Sequence, residues 1–224
     1  MLKYAVIVAG GSGIRMGNSI PKQFLEIAGK PVLLYTINSF LEAFDDLQIV
    51  VVLPEQHIET GKAIIDASLD PFRITVAKGG STRFQSVKNG LEHINKPSIV
   101  FVHDAVRCLV SKELIWRCYE TAAQKGNAIP AISAVDTIRI ETENGNQLID
   151  RNKVHIIQTP QTFQSEILKQ AFEQPYEASF TDEASVVERT GIKINLVEGE
   201  TNNIKITRPL DLVLAEKLIE GVKI

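Results

Sequence analysis

The sequence has only two cysteines in 224 residues, Cys108 and Cys118. Two are too few for a disulfide framework and their spacing fits no metal-ligand motif, so buried free thiols in a reducing compartment are expected. The four histidines, His57, His93, His103 and His155, are scattered, and no basic strip carries interleaved aromatics. Positive charge is not in excess either: 24 Lys and Arg stand against 27 Asp and Glu, a formal net charge of −3. A nucleic-acid partner, which requires a basic field, is therefore not expected. No apolar run approaches the roughly 20 residues that span a bilayer, and Met1-Leu2-Lys3-Tyr4 lacks the layout of a signal peptide. No membrane partner is expected, and the expected location is cytoplasmic. Internal repeats, low-complexity tracts and linkers are also missing, which favours one domain over residues 1–224.

What is present is a sequence 44% hydrophobic, enough to bury a full core. Apolar runs rich in β-branched residues recur at 4–9, 47–53, 72–77, 98–103 and 127–132. Continuous apolarity, without strict alternation, is what a parallel strand covered on both faces requires. Helical periodicity lies between the runs. Pro31 is placed to open a helix striped by Leu33, Leu34, Ile37, Phe40 and Leu41. Ser81 is expected to cap a second helix carrying Val87, Leu91 and Ile94, and Ser111 a third that stops at Gly126. Further helices are expected at 165–172, 181–189 and 209–220, with a strand at 192–197. The alternation predicts an α/β fold: a single Rossmann-like domain with a mostly parallel twisted sheet flanked by helices.

Residues 134–158 break this rhythm. Glu143-Asn144-Gly145-Asn146 is a hairpin turn signal, and the flanks at 137–140 and 148–151 alternate polar with apolar residues. The pattern fits an antiparallel edge of the main sheet or an arm projecting from it.

The first strand runs into Gly10-Gly11-Ser12-Gly13-Ile14-Arg15-Met16-Gly17. The dinucleotide fingerprint fails because Met16 stands where a third small residue is needed. The P-loop fails because Asn18 follows Gly17, and the nucleophile elbow fails because Ile14 replaces its last glycine. A glycine-rich turn at a strand's C-terminal end remains, where a phosphate can approach backbone N–H groups. Arg15 and Lys22 place two cations around it. The same residues would also serve a tight strand-to-helix connection with two solvated bases.

The glycine turn with Pro21-Lys22-Gln23-Phe24 resembles the signature of the CTP-dependent sugar-phosphate cytidylyltransferases. The likeness continues through Gly79-Gly80-Ser81-Thr82-Arg83-Phe84-Gln85-Ser86-Val87, Val102-His103-Asp104-Ala105-Val106-Arg107, Asp136-Thr137 and Asp150-Arg151. It runs on through Gln158-Thr159-Pro160-Gln161, Thr181-Asp182-Glu183-Ala184-Ser185 and Asn203-Ile204-Lys205-Ile206-Thr207-Arg208-Pro209. Two departures stand out. Val8-Ala9-Gly10-Gly11 replaces the usual Pro-Ala-Ala-Gly, and Cys108 stands where many members have proline.

The resemblance implies a homodimeric, metal-dependent enzyme that transfers CMP from CTP to a sugar or polyol phosphate and releases pyrophosphate. Thr181-Asp182-Glu183-Ala184-Ser185 and Thr207-Arg208-Pro209 favour 2-C-methyl-D-erythritol 4-phosphate as acceptor over D-ribitol 5-phosphate. It implies Arg15, Lys22 and Lys205 as catalytic cations, where catalysis is mostly positioning and charge neutralisation. Ala9, Gly10, Gly11, Gly80, Ser81, Arg83, Ser86 and Ala105 would contact the nucleotide, with the segment around Gly80 and Ser86 reading cytosine. Asp104, ending an apolar strand, would hold Mg²⁺ or another divalent cation. Thr137, Arg151 and Thr159, on or beside the hairpin, would hold the sugar phosphate, and exchanged arms would clasp two subunits. A metal phosphohydrolase lacks its second histidine cluster here. A non-catalytic nucleotide-binding module would not need Arg15, Lys22, Asp104 and Lys205 together.

Overall fold

The computed structural model describes residues 1–10, 20–143 and 145–221. The chain opens with β1 (Leu2–Val8), a minimal antiparallel pair β2 (Glu26–Ile27) and β3 (Lys30–Pro31), then α1 (Val32–Ala43) and β4 (Leu47–Leu53). It continues through α2 (Ile58–Asp66), β5 (Ile74–Lys78), α3 (Arg83–Leu91), β6 (Ser98–Asp104), α4 (Lys112–Lys125) and β7 (Asn127–Ser133). The hairpin β8 (Ile138–Thr142) and β9 (Gly145–Ile149) precedes β10 (His155–Ile157), β11 (Gln161–Gln164), α5 (Ser165–Ala171) and α6 (Glu183–Glu188). β12 (Leu196–Glu198) and α7 (Pro209–Ile219) complete it.

β5, β4, β1 and β6 lie side by side and parallel. β11 enters antiparallel between β6 and β7, and β12 pairs parallel on the far edge of β7. β10 pairs antiparallel with residues 131–133 of β7 and continues the line of β11. A mostly parallel sheet is thus observed, with β11 reversed in its middle and β10 reversed along the same line.

Alternation along the strands sorts the core onto two faces. Ala5, Ile7, Ile49, Val51, Leu53, Ile99 and Phe101 pack with Leu33, Ile37 and Phe40 of α1 and Leu114 and Ile115 of α4. Val6, Val50, Val52, Val100 and Val102 face the other way, onto Phe84 and Val87 of α3, Leu168 of α5 and Val187 of α6. Both faces are covered, which is why β4 and β6 read as continuous apolar runs. Of the six expected strands, four match closely, while the one expected at 192–197 is reduced to β12, Leu196–Glu198. The third differs, because Pro71–Arg73 forms a 3-10 turn that leaves Phe72 97% exposed and delays β5 to Ile74.

Four helix ends also differ from expectation, the first being that of α3, which stops at Leu91, short of Ile94. Thr82, not Ser81, caps α3, its hydroxyl accepting from the Gln85 N–H at 3.0 Å. Pro31 occupies the cap position of α1, one residue before its first turn. Asp182 caps α6, which therefore begins at Glu183. Ser111 and Gly126 bound α4 as expected, Gly126 at φ 90°.

β8 and β9 pair only with each other, Ile138 opposite Ile149 and Thr142 opposite Gly145. The hairpin is an arm, not an edge of the main sheet. Asn144, at its turn, lies outside the described residues.

Candidate active site

The chain leaves β1 for β4 and β5 on one side and then crosses back to β6 on the other side of β1, so a crevice opens beyond the carboxyl ends of β1 and β6. A cleft of about 260 Å³ occupies it. Its walls come from Val8, Ala9 and Gly10 at the end of β1, Lys22 and Gln23, residues 80–83 with Ser86, and Asp104, Val106 and Lys205. Segments nearly two hundred residues apart in sequence meet here.

The floor is held by backbone geometry. Gly79 donates its N–H to Leu53 O at 2.7 Å, and Gly80 donates to Ser86 Oγ at 3.1 Å. Ser86 in turn donates to Thr82 O at 2.9 Å. A Cβ at Gly10 or Gly79 would stand 3.4 Å from that Ser86 oxygen, so both glycine segments draw close around one buried hydroxyl. Gln23, almost fully buried, donates through Nε2 to Ala9 O at 2.7 Å and pins the turn to the strand end.

Asp104 is the electrostatic centre. Lys205 Nζ lies 2.9 Å from Oδ2, Arg83 Nη2 3.4 Å from Oδ1, and Arg107 Nε 3.5 Å from Oδ2. Burial alone would raise this carboxyl, but Arg83, Lys205 and Arg107 outweigh it and hold it well below the usual carboxylate range. Asp104 is therefore an anion at any working pH. Arg83 is anchored on its other side by the fully buried Glu183. Burial works against its charge, yet Glu183 and Asp104 hold it firmly protonated.

The cations are placed by the C-terminal segment. Ile206 donates its N–H to Val106 O at 3.0 Å, while its carbonyl accepts from Lys22 Nζ at 2.9 Å. Lys22 and Lys205 thus reach the cleft from either side of one buried isoleucine. Arg107 Nη1 donates to Asn203 O at 2.8 Å, and Asn203 Nδ2 donates to Thr159 O at 2.9 Å.

Of the expected site residues, Lys22, Lys205, Ala9, Gly10, Gly80, Ser81, Arg83, Ser86 and Asp104 line one cleft. Gly11 and Arg15 lie outside the described residues. Ala105 does not reach the cleft: it is buried, its N–H donating to Val8 O and its carbonyl accepting from Thr36 Oγ1. Val106 occupies the wall instead. Thr159 is not beside the hairpin but buried under Asp104, whose N–H it accepts at 3.1 Å. Thr137 and Arg151 are exposed at the base of the arm and line no part of the cleft, Arg151 Nη1 donating to Val135 O at 2.7 Å. Gln23, Arg107, Glu183 and Asn203 were not singled out from sequence. All four stand inside the motif blocks, which was their only signal.

A cleft at a parallel switch point, with a glycine floor, converging cations and one ionised carboxylate, belongs to the α/β nucleotidyltransferase class. Residues 3–221 match the family profile of 2-C-methyl-D-erythritol 4-phosphate cytidylyltransferase. The chain belongs to this family. It is 46% identical over 219 residues to the 2-C-methyl-D-erythritol 4-phosphate cytidylyltransferase of Phocaeicola vulgatus, covering 98% of this chain and 100% of that one. The Bacteroides fragilis enzyme of the same name is 45% identical with the same coverage. Among solved structures, 4-diphosphocytidyl-2C-methyl-D-erythritol synthase from Anaerococcus prevotii superposes with a TM-score of 0.84 at 27% identity, covering 98% of this chain and 96% of that one. The Thermus thermophilus 2-C-methyl-D-erythritol 4-phosphate cytidylyltransferase gives 0.74 at 32% identity, covering 96% and 98%. The resemblance drawn from the motifs, including its methylerythritol branch, is borne out. Among the described residues no helix is long and apolar enough to cross a membrane.

Proposed function

We propose that this chain transfers CMP from CTP to 2-C-methyl-D-erythritol 4-phosphate, with the cleft at β1 and β6 as its nucleotide site. A phosphate oxygen of the acceptor attacks the α-phosphorus of CTP. The bond to the β-phosphate breaks, and pyrophosphate leaves with the electron pair. The observation that carries this is the convergence of Lys22, Lys205 and the ionised Asp104 on one glycine-floored cleft.

Gly10, Gly80 and Ser86 hold the base and ribose end, where backbone amides and a hydroxyl read the donor and acceptors of cytosine. Lys22 and Lys205, with Arg15, neutralise the phosphates as charge builds in the transition state. Asp104 suits Mg²⁺, which takes one or two carboxylates and completes its sphere with substrate phosphates and water. Among the described residues no cluster of three His, Cys, Asp or Glu forms a closed metal cage, which fits an ion shared with the nucleotide. Once bound, the ion would screen the triphosphate and stabilise the departing pyrophosphate.

Thr137 and Arg151 stand exposed at the base of the arm and line no part of the cleft. We assign them to the partner's site in a two-fold dimer, where the arm's row of Ile138, Ile140 and Ile149 would be covered. The buried, unpaired cysteines support a cytoplasmic location.

The test is pyrophosphate release from CTP with 2-C-methyl-D-erythritol 4-phosphate and D-ribitol 5-phosphate, with and without EDTA. A higher kcat/KM for the methylerythritol substrate, abolished by the chelator, is expected. Preference for ribitol phosphate would overturn the acceptor, and undiminished release in EDTA would remove the metal.

A further inference from the structure

His103 is fully buried at the end of β6, its ring packed edge-on against Phe40 at 5.0 Å between centroids. Both ring nitrogens are engaged. Nε2 lies 3.0 Å from Arg107 O, and Nδ1 lies 3.0 Å from Thr159 Oγ1. The same Thr159 oxygen accepts the Asp104 N–H at 3.1 Å. Proton positions follow from counting donors. A carbonyl only accepts, so Nε2 carries a hydrogen. If Nδ1 carried one too, Thr159 Oγ1 would accept two N–H groups and its own proton would be left without an acceptor in a buried place. One arrangement satisfies every group: Asp104 N–H donates to Thr159 Oγ1, Thr159 O–H donates to His103 Nδ1, and His103 Nε2–H donates to Arg107 O.

We propose that His103 is a positioning residue: as the Nε2–H tautomer it directs the Thr159 hydroxyl, and through it fixes the backbone from which Asp104 enters the cleft. The chain also bridges Asp104 and Arg107, so the carboxylate and one of its cations are held at a set separation. The hydroxyl proton of Thr159 is thereby committed inside the protein, and Thr159 supports Asp104 without donating to the acceptor phosphate. The consequence for turnover rests on the functional reading of Asp104; the hydrogen-bond chain does not.

Two arms separate them. In full-length protein labelled with ¹⁵N-histidine, long-range ¹H–¹⁵N correlation should show one histidine locked as the Nε2–H tautomer, absent from the spectrum of His103→Asn. An Nδ1–H tautomer at His103, or rapid tautomer exchange, overturns the proposal whatever the activity. In the second arm, Thr159→Val should lower kcat about 10- to 100-fold, the range for partners that orient metal ligands, with KM for the acceptor nearly unchanged. Thr159→Ser, which keeps the hydroxyl, should restore most of it. A loss confined to acceptor KM would make Thr159 a substrate contact and overturn the proposal. If wild-type protein releases no pyrophosphate while the tautomer is as stated, the functional reading fails and the positioning chain stands.

Discussion

Asp104→Asn isolates charge from shape. The amide keeps the volume and one oxygen acceptor, but leaves Lys205, Arg83 and Arg107 facing a neutral group at 2.9 to 3.5 Å. Removing one partner of a buried ion pair typically costs about 3–5 kcal/mol. Lys205 is partly exposed and can turn to water, which puts the expected loss near the lower end, about 3 kcal/mol. Native proteins hold roughly 5–15 kcal/mol, so the variant should remain folded. The penalty should depend on pH with a defined sign. The wild-type carboxyl is held below its unfolded value, so its contribution is complete above the unfolded pKa of about 4 and is lost as pH falls towards the folded value. The stability gap between wild type and variant, measured by urea titration, should be largest at neutral pH and narrow in acid. Turnover at saturating Mg²⁺ should fall by about 10²–10³, as when other electrostatic stabilisers are removed. The decisive assay is pyrophosphate release against Mg²⁺ concentration under conditions where urea titration shows the variant folded. Near-normal turnover with an unchanged metal requirement would refute the role of Asp104 as metal ligand and leave it a structural anion.

Lys22→Ala should lower kcat by about 10²–10³ with a much smaller change in the Kd for CTP, because its charge matters most in the transition state; a normal kcat with raised KM would exclude it. Co-expressed Arg151→Ala and Lys22→Ala subunits should form heterodimers with one intact and one doubly damaged site, recovering about half of wild-type activity per heterodimer, whereas inactivity would place Arg151 in its own subunit's site. Burial pushes the Cys108 and Cys118 thiols up to about 12, so at pH 8 both should resist a disulfide reagent until the protein unfolds. Rapid labelling of native protein would contradict their burial.

The parallel strands were legible because burial on both faces writes itself into sequence as unbroken apolarity. β11 was not, and the reason is physical. Its Gln161-Thr162-Phe163-Gln164 reads as polar, yet three of its residues are buried. Gln161 donates to Asp182 Oδ2 and accepts from Ala184 N, while Gln164 donates to two carbonyls of α4. Tertiary hydrogen bonds make this strand, and hydropathy carries no trace of them. Ser81 and Thr82 were equally good caps by type, and only backbone geometry chose between them. At the site, motif blocks named residues but not partners. Arg83 and Glu183 are a hundred residues apart, and nothing local announces that one buried carboxylate holds the other's guanidinium. Thr159 shows the reverse case, since a position that family likeness assigns to substrate also lies buried beneath Asp104.

The reversed strand at the centre of the sheet has a consequence for how the chain is made. β1, β4, β5 and β6 are complete by residue 104, but the free edge of β6 finds no partner until residues 161–164 have been synthesised. Until then it is an unpaired apolar edge of the kind that templates wrong pairing between chains. β7 cannot cover it, because in the finished sheet β11 stands between them. The polypeptide must first extend the arm and return. Docking of β11 also brings Thr159 beneath Asp104, and only afterwards can β12 pair with β7 and the segment with Lys205 reach that carboxylate, so closing the middle of the sheet precedes assembly of the charged cleft. Nascent chains halted before residue 161 should be selectively prone to aggregation, and chains extended past β11 should escape it before the site is complete.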